Sequence, residues 1–97
     1  MNYYVEVPNE VKDDINSLRD KVLIKDIWKK ITALGSYPTK GKHLFKNFYE
    51  LKSRKYRVYY SVHHGTVIIE KIEYPGRVHV NGIGDKDSQK KDIGLLQ

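Results

Sequence analysis

The hydrophobic pattern of this chain changes period near residue 46, and that change constrains the fold more tightly than any other feature. Before it, apolar residues recur at helical spacing. Val11, Ile15 and Leu18 fall at i, i+4 and i+7, and Ile24, Ile27, Trp28, Ile31 and Leu34 at i, i+3, i+4, i+7 and i+10. Each set draws one apolar stripe along a helix. Residues 3–7 (YYVEV) form a short strand-like run ended by Pro8, and the Pro8 region or Asn9 starts the first helix. Gly35 is expected just past the end of the second helix, in the C′ position, with Pro38 soon after.

From residue 46 the period is two. Segments 48–53, 55–62, 66–73 and 77–83 are rich in Tyr, Val and Ile, and turn signals separate them at Ser53-Arg54, His63-His64-Gly65 and Tyr74-Pro75-Gly76. Hairpin following hairpin predicts an antiparallel meander, and the tail DKDSQKKDIGLLQ a helical turn or two. The order predicts an α+β fold: an N-terminal strand and an antiparallel helical hairpin packed on one face of a twisted antiparallel sheet. At 97 residues the chain has room for one core, so residues 1–97 read as a single domain.

The second face of such a sheet is free to carry a site. Alternation in KYRVYYSV sends Tyr56, Val58, Tyr60 and Val62 inward and Arg57, Tyr59 and Ser61 outward. Tyr49 and Leu51 inward leave Glu50 and Lys52 outward; Val78 and Val80 inward leave Arg77, His79 and Asn81 outward. Pattern alone therefore gathers Glu50, Lys52, Arg57, Tyr59 and His79 on one surface.

That group has a chemical reading. Cleaving RNA without a metal needs a base for the 2′-hydroxyl, a cation for the phosphate and an acid for the departing 5′-oxygen. Glu50 is the candidate base, Arg57 the bidentate phosphate clamp and His79 the acid, since an unperturbed imidazole titrates at about 6.5. Tyr59 is a candidate for stacking on a base or orienting the phosphate. The same residues also fit plainer roles: Glu50 and Arg57 as a cross-strand ion pair worth about 0.2–1 kcal/mol, and Tyr59 as a strand former. Lys40, Lys42 and Lys46 read as loop residues, solvated or touching phosphates.

Charge supports an anionic partner. Residues 1–36 hold six bases and six acids, while residues 37–97 hold twelve bases and six acids, so the net +6 belongs to the second part. With no cysteine, disulfides, thiolate nucleophiles and cysteine-held zinc are excluded. There is no glycine-rich phosphate loop, nucleophile elbow or metal-binding helix motif, so no metal, cofactor or small-molecule ligand is expected. No apolar run approaches the roughly 18–20 residues of a membrane span. The start, MNYYVEV, has neither a basic leader nor an apolar stretch, and a cytoplasmic location is the expectation.

YELKSRKYRVYYSV resembles the central hairpin of RelE/ParE-superfamily toxins, in which Y-x-L-R leads through a short turn into Y-R-[LV]-x-Y. IGDKDSQKKDI resembles their closing I-G-H-R-x-x-x-Y-x-x-[IL] segment, and the strand and helical pair fit the same βααβββ(β) order. The resemblance implies a toxin that cuts mRNA on the ribosome and is neutralised by an antitoxin encoded beside it. It matches Arg57 to the family's phosphate-binding arginine, Lys52 to the arginine of Y-x-L-R, Glu50 to a position of lysine or glutamate, and Lys86 to the arginine after G-H. Asp85 replaces the motif's histidine and Lys90 its tyrosine, which leaves the glutamate–arginine–histidine version of the site, Glu50, Arg57 and His79, with Lys52 joining them as the catalytic candidates. Lys86, Lys90 and Lys91 join Lys40, Lys42, Lys46 and Tyr59 as RNA-contacting candidates. Two other functions fit: a ParE-like toxin acting on DNA gyrase, and a non-catalytic RNA-binding domain, for which the surplus charge suffices.

Overall fold

The computed structural model describes residues 2–74. In chain order these form β1 (Tyr4–Glu6), α1 (Asn9–Asn16), α2 (Lys21–Ala33), β2 (Lys42–Phe45), β3 (Phe48–Lys52), β4 (Arg57–His63) and β5 (Thr66–Glu73). The strands make one sheet of order β1-β5-β4-β3-β2. Strands β3 to β5 are the first three strands of the antiparallel meander that the alternation predicts, β2 extends it in antiparallel fashion, and β1 pairs with β5 in parallel, so the sheet is mixed.

The helices form where the stripes place them, and their ends have local causes. Pro8, extended at φ −56° and ψ 150°, ends β1 and occupies the N-cap of α1. Asp20 caps α2 with its carboxylate, which accepts from the Leu23 N–H at 3.0 Å. Ile15, Ile27, Ile31 and Leu34 are buried against the sheet with Tyr56, Val58, Tyr60, Val67 and Ile69. Trp28 packs at the rim, its indole N–H donating to Asn16 Oδ1 at 3.0 Å and tying the two helices together.

Gly35 has a different task from the one its position suggests. Leu34 caps α2 in a right-handed conformation, and Gly35 does not take a positive φ. What requires glycine is the approach of the N-terminal strand. Tyr3 N–H donates to Gly35 O at 2.7 Å, and a Cβ here would stand 2.9 Å from Tyr3 O.

Three further differences from the sequence pattern matter for the site. Residues 42–45, expected as loop, form the edge strand β2, exposed along its whole length. Its hairpin to β3 turns through Lys46, held at a left-handed φ of 48°. A bulge opposite Tyr59 and Tyr60 slips the alternation of β5 after Ile69, so Ile72 instead of Lys71 reaches the core. Ser61 lies on the outward face as expected, yet it is fully buried there. The fourth expected strand of the meander, 77–83, and the helical tail lie outside the described residues.

Candidate functional site

With the helices on one face, no described helix or strand covers the opposite, open face of the sheet, and strand register arranges its side chains in rows. Lys42, Glu50, Tyr59 and Lys71 make one row across β2, β3, β4 and β5; Lys52, Arg57 and Glu73 make the next. On the other side of the Glu50 row lies a third, of Phe45, Phe48, Ser61, Ile68 and Glu6.

The centre of this lattice is a diagonal ion pair. Arg57 Nε lies 3.7 Å from Glu50 Oε2, with the Glu50 side chain 16% exposed and that of Arg57 35% exposed. Both groups are thus partly desolvated yet reachable from solvent. The cross-strand register is the reason they meet: Glu50 faces Tyr59, Lys52 faces Arg57, and two residues of strand bring the pair onto one side.

A second pair adjoins the first. Lys71 Nζ is 3.0 Å from Glu73 Oε2, and the Tyr59 hydroxyl donates to Glu73 Oε1 at 3.0 Å. The Lys71 ammonium and the Tyr59 hydroxyl hold the Glu73 carboxyl below the usual carboxylate range. Desolvation, then the hydrogen bond to Glu73, pushes the Tyr59 phenol up. The Tyr59 hydroxyl is thus held by Glu73, beside the Glu50–Arg57 pair. Glu73 and Lys71 thus join the candidate site, and sequence reasoning missed both.

Ser61 belongs to a closed network beside the third row. Its hydroxyl donates to Glu70 Oε2 at 2.7 Å and accepts from His63 Nε2 at 2.9 Å, while Asn47 Nδ2 reaches His63 Nδ1 at 3.3 Å. A buried serine already donating to a carboxylate is a structural anchor here, not a nucleophile.

Among the predicted residues, Glu50, Lys52, Arg57, Tyr59 and Lys42 share the open face. Lys40 and Lys46 are exposed at either end of β2, Lys46 in the hairpin turn. His79, Lys86, Lys90 and Lys91 lie outside the described residues. Among the described residues no group of three or more His, Asp or Glu side chains could hold a metal ion. No helix there is long and apolar enough to cross a membrane. A separate cleft of about 900 Å³ runs between the start of α2 (Asp20, Val22, Leu23, Asp26) and the β3–β4 turn (Lys52, Arg54, Lys55).

Comparison with known proteins places these features. The family model described as ParE toxin of type II toxin-antitoxin system, parDE, matches residues 5–76. Among solved structures, the chain is similar to the toxin–antitoxin complex RelBE2 from Mycobacterium tuberculosis. That likeness has 21% identity and a TM-score of 0.63, covering 76% of this chain and 99% of that one. It is also similar to a mutant of E. coli toxin RelE in the free state, at 17% identity and a TM-score of 0.64, covering 78% of this chain and 86% of that one. At these identities the likeness is one of fold. No curated protein sequence matches.

Proposed function

The chain belongs to the ParE toxin family of type II toxin–antitoxin systems, and on that premise we propose that it cleaves mRNA by acid–base chemistry on the open sheet face. The observation that carries the reading is the Glu50–Arg57 pair: a carboxylate and a guanidinium 3.7 Å apart, half-withdrawn from water and backed by strands. In this reading Glu50 takes the proton of a 2′-hydroxyl as O2′ attacks the adjacent phosphorus. Arg57, turning from the carboxylate to the phosphate, holds the charge that develops on the phosphoryl oxygens. The bond to the 5′-oxygen breaks, that oxygen takes a proton from the acid, assigned to His79, and the products are a 2′,3′-cyclic phosphate and a 5′-hydroxyl. Lys52, beside Arg57 in the same row, adds positive charge. The step needs neither metal nor cofactor.

The rest of the reading follows from the same premise. A cognate antitoxin is the expected partner, and the cleft between α2 and the β3–β4 turn suits an amphipathic segment, since Val22 is 78% exposed at its mouth. The substrate is proposed to be mRNA on the ribosome, in the cytoplasm. One observation favours inhibition of DNA gyrase as a second reading: Arg57 and Lys71 already have carboxylates within ion-pair distance, so the middle of the face carries little free positive charge.

The deciding experiment adds purified protein to a translation extract and, separately, to a gyrase supercoiling reaction. RNA cleavage with cyclic-phosphate ends is expected, reduced about 10²–10³-fold in Arg57→Ala and about 10²–10⁴-fold in Glu50→Gln. Cleavage that survives unchanged in Arg57→Ala removes the proposed site. Loss of supercoiling without any RNA fragment transfers the function to gyrase.

A further inference from the structure

The chain has two phenylalanines, Phe45 and Phe48, and both sit on the β2–β3 hairpin. We propose that they form a stacking platform for an unpaired nucleobase of single-stranded RNA, one register row from the Glu50–Arg57 pair. The proposal rests on the RNA reading above and adds a binding subsite to it.

Local structure makes the platform. The tight turn at Lys46 and Asn47 sets Phe45 directly opposite Phe48, and an irregularity between His43 and Phe45 re-aims the end of β2. The two rings stack, with centroids 5.1 Å apart and planes at 26°. Phe45 remains 58% exposed, so the outer ring of the pair offers surface to solvent. The other stacked aromatic pair among the described residues, Tyr49 on Tyr60, differs in this respect, for Tyr60 is fully buried and belongs to the core.

Position then gives the platform a ligand. Phe48 and Glu50 point to the same face two residues apart, about 7 Å along the strand. A base resting on Phe45 therefore places its backbone alongside the candidate catalytic pair. Lys46 follows Phe45 in the turn, Lys42 lies in the neighbouring row and Lys40 stands beyond the other end of β2, and among the described residues none of the three lies in an ion pair. Aromatic faces set among free cations suit single-stranded nucleic acid, whose bases stack while its phosphates are neutralised. The same three cations oppose pairing of this edge with a second copy of the chain. Tyr59, whose hydroxyl donates to Glu73, lies in the neighbouring row.

The test uses the full chain and oligoribonucleotides made uncleavable by 2′-O-methylation, with 2-aminopurine scanned along the sequence. One position is expected to lose fluorescence on binding. Phe45→Ala and Phe45→Leu are expected to weaken binding about 5- to 140-fold and restore that fluorescence, while Phe45→Trp keeps both. Phe45 is exposed, so folding is not at stake in these variants. Wild-type affinity in Phe45→Leu overturns the platform, because leucine supplies apolar area without a π-face. If Phe45→Ala changes only affinity for an antitoxin, the rings are a protein contact and the proposal also falls. Should RNA be cleaved in an Arg57-dependent way while Phe45→Leu binds normally, the platform alone fails. If the wild-type chain binds no RNA, the functional reading fails with it.

Discussion

Gly41→Ala is expected to loosen the edge of the sheet that carries both Lys42 and Phe45. Gly41 sits just before β2, where its N–H donates to the buried Tyr60 hydroxyl at 2.9 Å. A Cβ there would stand 2.6 Å from the Glu50 carbonyl oxygen and 2.8 Å from the Tyr60 hydroxyl. Neither neighbour gives way easily: one is backbone in β3 and the other ends a fully buried side chain. The start of β2 must move outward, losing the hydrogen bond at about 1 kcal/mol and carrying overpacking strain of about 1–3 kcal/mol. The sum, about 2–4 kcal/mol, is large for a domain whose total stability is expected at about 5–15 kcal/mol. Because Gly41 does not hold a positive φ, the penalty is steric and not conformational. Urea unfolding followed by circular dichroism should show the midpoint lowered by about 1–2 M at unchanged slope. If β2 instead detaches alone, the midpoint moves less and the amides of β2 lose hydrogen-exchange protection. A midpoint within about 0.3 M of wild type, with β2 protection intact, refutes the reasoning.

Two other changes probe the scaffold. Tyr56→Phe removes the hydroxyl that donates to Asp26 Oδ2 at 2.7 Å. Burial, then that hydrogen bond, raises the Tyr56 phenol, and the bond lowers the Asp26 carboxyl. Because the folded phenol is raised, its contribution is complete below the unfolded value of about 10 and is lost as pH climbs above it. The lowered Asp26 contributes above about pH 4 and loses that contribution as pH falls further. Stability of the variant is therefore expected to be about 1 kcal/mol lower near neutrality and flatter at both extremes in urea midpoints taken across pH; parallel curves would contradict it. Asp20→Ala, which leaves the Leu23 N–H uncapped, is expected to cost about 1 kcal/mol in the same assay, with Asp20→Asn restoring most of it. An equal loss in both variants would assign the effect to charge.

The Glu50–Arg57 pairing is legible in the sequence because alternation holds unbroken within each of the two strands, and a short turn folds one onto the next. Helical stripes are equally legible, since Ile15, Ile27, Ile31 and Leu34 are core by any reading. The partners on β5 are hidden for a physical reason. Strict alternation from Val67 and Ile69 sends Lys71 and Glu73 inward, and only the bulge near Glu70 turns both onto the open face. A bulge is specified by the neighbouring strand and leaves little trace in local composition. Strand β2 is hidden because KHLF alternates nowhere and buries nothing; it is a strand through its pairing with β3. Ser61 reads as exposed because a period-two pattern says which side a residue takes, not what its neighbours pile over it.

The parallel seat of β1 has a consequence for how the chain assembles. Tyr4 pairs with Thr66, 62 positions later, whereas β2 through β5 meet through short local turns. Loop-closure entropy favours the meander forming first. Strand β1 is synthesised well before β5, the last described strand, and must then wait for it before it finds its place. During synthesis the sheet therefore stays incomplete until β5 emerges, and the candidate face, which takes Lys71 and Glu73 from that strand, is completed only then.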